Sequence, residues 1–225
     1  MKKKAAILFS GGKDSVYATY LAKKKGYSID CLICMESLNK ESYMFHTPSI
    51  TKTRKQAEVM NIPLEIKKTH GEKETELEDL EEIISKVKRE YCVEVIVTGA
   101  IKSVYQSSRI QNICEKLGLE VYNPLWQINE ETYLKELLTN NFKVILVGVF
   151  AYPFNKDWLL REINQDFIFE IGELNKKFGI NVAGEGGEFE SFVLNCPLYS
   201  RELKLIDYEI MSEGENSFRA EILIE

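Results

Sequence analysis

The sequence predicts an α/β fold: a mostly parallel sheet with helices on both faces, followed by a small α+β subdomain. Three observations predict it. Strand-like and helix-like patterns alternate over the first 150 residues, the signature of a parallel sheet with crossover helices. A glycine turn, Ser10-Gly11-Gly12-Lys13-Asp14-Ser15, joins the first apolar run directly to a helical pattern. Near Ala151 the alternation stops, and the chain ends in two strand-like runs around a polar turn. Two domains are therefore expected, 1–150 and 151–225.

The elements follow in order. Ala5 to Phe9 is a short apolar run that reads as a buried strand, and Val16 to Lys25 reads as a helix stopped by Gly26. Ile29 to Met35 is a second strand. The polar stretch Glu36 to Pro48 is long for a connection, which suggests function. Ser49 to Met60 is a helix and Pro63 to Lys67 a strand. Leu77, Leu80, Ile83, Ile84, Val87 and Tyr91 recur at helical spacing, with Glu74, Glu76, Glu78 and Asp79 where a helix dipole favours acids. Val93 to Thr98, ending at Gly99, is a strand. Ile110, Ile113, Cys114 and Leu117 mark a helix stopped by Gly118. Glu120 to Tyr122 is a short strand, and Tyr133 to Leu138 belong to a helix. Val144 to Val149 is a continuous apolar strand, expected to lie in the parallel sheet with both faces buried. Phe167, Ile171, Leu174 and Phe178 give one more helix. The loop Gly184-Glu185-Gly186-Gly187-Glu188 precedes a strand, Glu190 to Leu194. Leu203 to Met211 and Phe218 to Ile224 flank Glu213-Gly214-Glu215-Asn216 as a hairpin. Ligands of parallel sheets bind beyond the carboxyl ends of the strands, where Ser10, Glu36 and Gly99 fall.

The composition is that of an ordinary folded domain, 44% hydrophobic and 28% charged over 225 residues. A net charge of −6 argues against an extended nucleic-acid surface, although Lys23, Lys24 and Lys25 form a local basic cluster. No apolar run approaches the ~20 residues of a membrane helix. The apolar stretch after Lys2-Lys3-Lys4 is too short for a signal peptide, so a cytoplasmic protein is expected. The five cysteines, an odd number, read as reduced thiols. Cys31 and Cys34 form C-x-x-C inside a strand, where alternation sends them to opposite faces and away from a shared metal. With only His46 and His70 as histidines, little remains for zinc.

The glycine turn carries the first functional signal. Its two glycines allow close approach of the backbone to a ligand, and the following helix start offers N–H groups and a favourable dipole to an anion. Ser10 and Ser15 add hydroxyls and Lys13 a cation. Asp14 is unusual at an anion site unless it holds Mg²⁺ or caps the backbone. Ile7 stands where the P-loop needs its first glycine and Asp14 follows the lysine, so the turn is not a P-loop. The dinucleotide fingerprint G-x-G-x-x-G is absent as well.

Ser-Gly-Gly-Lys-Asp-Ser after a first strand resembles the loop of the PP-loop ATP pyrophosphatases. That resemblance implies cleavage of ATP between its α and β phosphates. Further segments resemble one branch, the diphthine–ammonia ligases: Met44 to Pro48, Gly99-Ala100-Ile101 with Tyr105, Gln106 and Arg109, Cys114 to Leu119, Pro124-Leu125-Trp126, Trp158-Leu159 with Arg161, and above all Gly184-Glu185-Gly186-Gly187-Glu188-Phe189-Glu190. Leu160 stands where that family leads one to expect glycine, and the domains appended in longer relatives have no counterpart. The implied substrate is diphthine, a modified histidine of translation elongation factor 2. Its carboxylate would be adenylated by ATP with Mg²⁺, and ammonia, taken as free ammonium, would displace AMP.

On that resemblance Ser10, Gly11, Gly12, Lys13, Asp14, Ser15, Met35, His46 and Gly99 are expected at ATP. Lys13, Asp14, Arg109 and Glu188 are expected in catalysis, with Asp14 as the Mg²⁺ ligand. Gln106, Glu185, Gly186, Gly187, Glu188 and Glu190 are expected at the substrate. The acidic groups with Phe189 suit a trimethylammonium cation or a proton from ammonium; spacing does not separate the two roles. His46 fits a nucleotide contact or a base equally, and Trp126 and Trp158 read as packing residues. No membrane or nucleic-acid partner is expected, and the oligomeric state, a homodimer included, is left open. The competing readings are a tRNA-modifying enzyme of the same superfamily and a non-catalytic ATP-binding protein.

Overall fold

The computed structural model describes residues 2–37, 50–70 and 73–225. They form two compact units, Met1–Trp126 and Gln127–Glu225.

In the first unit the order is β1 (Lys4–Leu8), α1 (Lys13–Lys25), β2 (Ser28–Ser37), α2 (Ile50–Met60), β3 (Leu64–Thr69), α3 (Lys73–Tyr91), β4 (Val95–Val97), α4 (Val104–Lys116) and β5 (Glu120–Tyr122). The strands form one sheet ordered β3-β2-β1-β4-β5, parallel throughout. The chain runs outward from β1 to β3 and then resumes on the other side of β1. Right-handed crossovers make this reversal place α1 and α2 on one face and α3 and α4 on the other. Alternation along the strands supplies both layers with apolar side chains. Ala6, Cys31, Ile33, Met35 and Ile96 pack with Leu80, Ile84 and Val87 of α3 and Ile110, Ile113 and Cys114 of α4.

Cys31 and Cys34 do fall on opposite faces. Cys31 lies in the cluster under α3 and α4, whereas Cys34 neighbours Thr53 of α2. Burial is the main cause that pushes the Cys31 thiol up to about 12 and that of Cys34 up to about 11. Both stay protonated at neutral pH and are poor nucleophiles.

The second unit contains α5 (Glu130–Thr139), β6 (Lys143–Val149), α6 (Gln165–Phe178), β7 (Phe189–Asn195), β8 (Leu205–Gly214) and β9 (Ser217–Ile224). Its sheet is ordered β7-β6-β9-β8 and is antiparallel. Asn129 and Asn164 cap α5 and α6, each side chain accepting a hydrogen bond from an N–H of the first turn. The apolar face of α6, Phe167, Ile168 and Ile171, is buried.

One expectation is corrected here. Strand β6 does not extend the parallel sheet; it is a central strand of the antiparallel one. A strand buried on both faces reads as a continuous apolar run in either kind of sheet, because burial does not encode the direction of its neighbours.

Leu160 adopts a left-handed backbone, φ 62°, and its N–H reaches the Leu146 carbonyl at 2.8 Å. This turn brings residues 160–163 beside β6. A non-glycine side chain in that region costs roughly 1–2 kcal/mol. Removing side-chain atoms normally makes glycine worse than alanine. At this position the order is expected to reverse, with Leu160→Gly more stable than Leu160→Ala by about 1 kcal/mol in urea denaturation.

Candidate functional site

Strand order reverses between β1 and β4, and the segments leaving these neighbouring strands define the site's floor. After β1 the chain turns through Gly11, φ 80°, and α1 begins at once with Lys13. No side chain caps α1; its N-cap is Gly12. The start of α1 thus presents main-chain N–H groups rather than a side-chain oxygen, the arrangement that suits an anion.

The two serines act within the loop itself. Ser15 Oγ lies 3.1 Å from the Gly12 carbonyl, to which it donates, and accepts from Ser10 N at 3.2 Å. It also lies 3.2 Å from Ser10 Oγ. Ser15 is buried and Ser10 exposed, so Ser15 shapes the turn while Ser10 faces solvent. Lys13 is only 3% exposed, and its Nζ sits 3.0 Å from Asp14 Oδ2. A cation so withdrawn from water needs negative charge close by.

Gly99, which follows β4, touches the same helix start. A Cβ there would lie 2.7 Å from the Asp14 carbonyl carbon and 2.8 Å from Ser15 N. Only glycine allows this backbone contact. Thr98 and Asn123 hold the Gly99 turn from the other side. Thr98 Oγ1 donates to Asn123 Oδ1 at 2.5 Å and accepts from Ala100 N at 3.3 Å, and Asn123 Nδ2 donates to Ser107 Oγ of α4.

Arg109 of α4 stacks on its own helix: its guanidinium lies 3.3 Å from the Tyr105 ring centroid and Nη1 donates to the Tyr105 carbonyl. Its Nε is buried and makes no hydrogen bond among the described residues, which leaves donor capacity for an acceptor. Gln106 uses its backbone N–H to bond the cap residue Ser103. Met35 is a core residue, 3% exposed and packed in the cluster under α3 and α4. His46 lies outside the described residues.

In the second unit, Gly184 to Glu190 is a closed hydrogen-bonded loop. Glu188 Oε1 accepts from Asn181 N at 2.9 Å, and Oε2 accepts from Gly186 N at 2.8 Å. Asn181 Oδ1 accepts from Ala183 N and Glu185 N, and its Nδ2 donates to Glu130 Oε1 of α5. Two side chains thus satisfy four backbone amides between Asn181 and Gly186. Both glycines with positive φ, Gly184 and Gly187, sit at its bends. A Cβ on Gly186 would stand 2.7 Å from Glu188 Oε1, and one on Gly184 would meet the Phe189 ring at 3.0 Å. Phe189 is anchored edge-on against Phe154 and Phe167. Glu188 therefore holds the loop's shape, and Glu185 follows the bend at Gly184.

Glu190 is committed to Arg219, 2.9 Å away. Gly148 of β6 pairs with Glu190 on one side and with Arg219 on the other. Without a side chain at Gly148 the two charged groups meet across the intervening strand; a Cβ there would come within 3.3 Å of Glu190 Oε2. Trp158 packs against Phe154 and Phe167, with Arg161 over its ring at 4.2 Å. Sequence reasoning missed Gln56, Thr98, Asn123 and Asn181. Gln56 had a signal, since it is a polar residue at the buried spacing of Thr53, Ala57 and Met60.

Among the described residues, no group of three or more His, Cys, Asp or Glu side chains could hold a metal ion. Asp14 is the carboxylate of the loop, an oxygen donor of the kind Mg²⁺ takes.

Family models match segments of both units. The family model for the diphthamide synthase N-terminal domain matches residues 3–121, and the model for its C-terminal domain matches residues 129–222. The diphthine–ammonia ligase of Mus musculus is 34% identical over 233 residues, covering 96% of this chain and 87% of that protein. The Homo sapiens protein of the same name is 32% identical with the same coverage. The Schizosaccharomyces pombe one is 31% identical over 92% of this chain and 37% of its own greater length. The chain belongs to the diphthamide synthase family.

Proposed function

We propose that the protein is an ATP-dependent ligase that converts diphthine on translation elongation factor 2 to diphthamide. A carboxylate does not react with ammonia because its leaving group would be oxide. Its oxygen therefore attacks the α phosphorus of ATP, and pyrophosphate leaves. Ammonia, formed when ammonium gives up a proton, then attacks the acyl-adenylate carbonyl. AMP leaves with the former carboxylate oxygen, and the amide remains.

The observation that carries this reading is the loop Ser10 to Ser15 at the reversal of strand order, with its uncapped helix start and buried Lys13. Such a cradle suits the β and γ phosphates, the part of ATP that departs, and preorganised donors there stabilise the charge as it develops. Asp14 would hold Mg²⁺, which screens the two anions as they approach. Arg109, with an uncommitted buried Nε, is assigned to the α phosphate or the carboxylate. The Gly184 to Glu188 loop is assigned to the diphthine side chain, where the Glu185 carboxylate suits the trimethylammonium group. The protein takes ammonium from solution and works in the cytoplasm, where its substrate factor is; no helix among the described residues is long and apolar enough to cross a membrane.

The test is product identity. With diphthine-bearing factor, ATP and ammonium, AMP and pyrophosphate are expected in equal amounts, and continued turnover requires both the factor and ammonium. ADP and phosphate, sulfur transfer to tRNA from added sulfide, or ATP bound but left intact would each overturn the reading.

A further inference from the structure

We infer that Gln56 of α2 is a positioning residue for the phosphate loop, fixing the direction of the Gly11 peptide. This rests on the reading that the loop receives the phosphates of ATP. Gln56 is fully buried, and its Nε2 donates to the Gly11 carbonyl at 2.9 Å, 45 residues away in sequence. The acceptor is a carbonyl oxygen, so the amide orientation is set: the nitrogen must face Gly11. Contact is close enough that a Cβ on Gly11 would overlap the Gln56 amide oxygen and stand 3.3 Å from Thr53 Cγ2. The need for glycine at position 11 thus has two sources, its positive φ and the side chains of α2 packed over it.

The direction of this peptide matters to an anion. Gly11 is left-handed and Gly12 is extended, φ −75° and ψ 166°. Rotating the Gly11–Gly12 peptide exchanges which of its ends, carbonyl or N–H, faces the helix start. A carbonyl turned into the cradle would set a negative dipole end against the phosphates. A peptide held outward by α2 keeps the oxygen out of the cradle and leaves the N–H groups that follow to the ligand. Gln56 touches no phosphate in this account; it acts through Gly11.

The inference predicts a phosphate-specific defect. Gln56→Met keeps the size and removes the donor, and Gln56→Glu places an acceptor against the Gly11 carbonyl. By titration calorimetry at neutral pH, Gln56→Met should weaken binding of both ATP and inorganic pyrophosphate about tenfold, and Gln56→Glu should weaken both further. AMP, which lacks the departing phosphates, should bind all three proteins alike, and thermal melting should show the variants folded. If either folded variant binds ATP and pyrophosphate as the wild type does, or loses AMP in the same proportion, Gln56 does not position the loop. A wild-type protein that binds neither ATP nor pyrophosphate overturns the underlying reading of the loop as well, a result distinct from the first because it appears without any substitution.

Discussion

Lys13→Ala is expected to lower kcat/KM for ATP by on the order of 10²–10³, the loss typical of removing one preorganised donor from a charge-developing site. Lys13 is the cation of the loop's first helical turn, 3% exposed and 3.0 Å from Asp14. Its removal has two consequences of the same sign. The loop loses its positive charge, and the Asp14 carboxylate loses the partner that neutralises it. Incoming phosphates then meet the Asp14 carboxylate without the Lys13 charge beside it. The binding defect should be visible by calorimetry before any chemistry. Wild-type ATP affinity in Lys13→Ala would remove the phosphate-binding role assigned to Ser10 through Ser15.

Glu188→Ala is expected to reduce amide formation on the order of 100-fold, through displacement of the loop rather than loss of a substrate contact. Both carboxylate oxygens of Glu188 are occupied by Asn181 N and Gly186 N. Truncation leaves those two N–H groups without acceptors, and the bend carrying Glu185 loses its inner support. Two measurements separate this from a direct role. Affinity for ATP should be unchanged, because both Glu188 oxygens are taken by backbone amides of its own segment. Hydrogen exchange at the amides of Gly186 and Asn181 should accelerate in the variant. Full turnover in Glu188→Ala would show that the loop's shape has no part in the reaction.

Comparing the two loops shows what a sequence can and cannot disclose. The turn Ser10 to Ser15 was legible because its pattern lies in consecutive residues: a strand, two glycines, a lysine and a helix. The parallel sheet was legible for a similar reason, since alternation of periods two and 3.6 is local. Direction of pairing is not local, so β6 read as a sixth parallel strand although β7 and β9 flank it in an antiparallel sheet. The division of labour in the second loop was also hidden. Glu185, Glu188 and Glu190 are chemically identical in the sequence. The structure assigns Glu188 to its own backbone and Glu190 to Arg219 across Gly148. The partners that decide this, Asn181, Gly186 and Arg219, are recognisable only once the chain is folded. Gln56 is the same kind of case, 45 residues from the carbonyl it holds.

Activation of the diphthine carboxylate by adenylation is tested directly by one measurement. Elongation factor 2 bearing diphthine with heavy oxygen in its carboxyl group is turned over with unlabelled ATP and ammonium, and the products are examined by mass spectrometry. Adenylation requires the carboxylate oxygen to leave with the nucleotide, so the label should appear in AMP, in equal amount to the amide formed, and be absent from pyrophosphate. Label in phosphate with release of ADP would mean activation by phosphorylation, and amide formation with no label in any nucleotide product would contradict adenylation altogether.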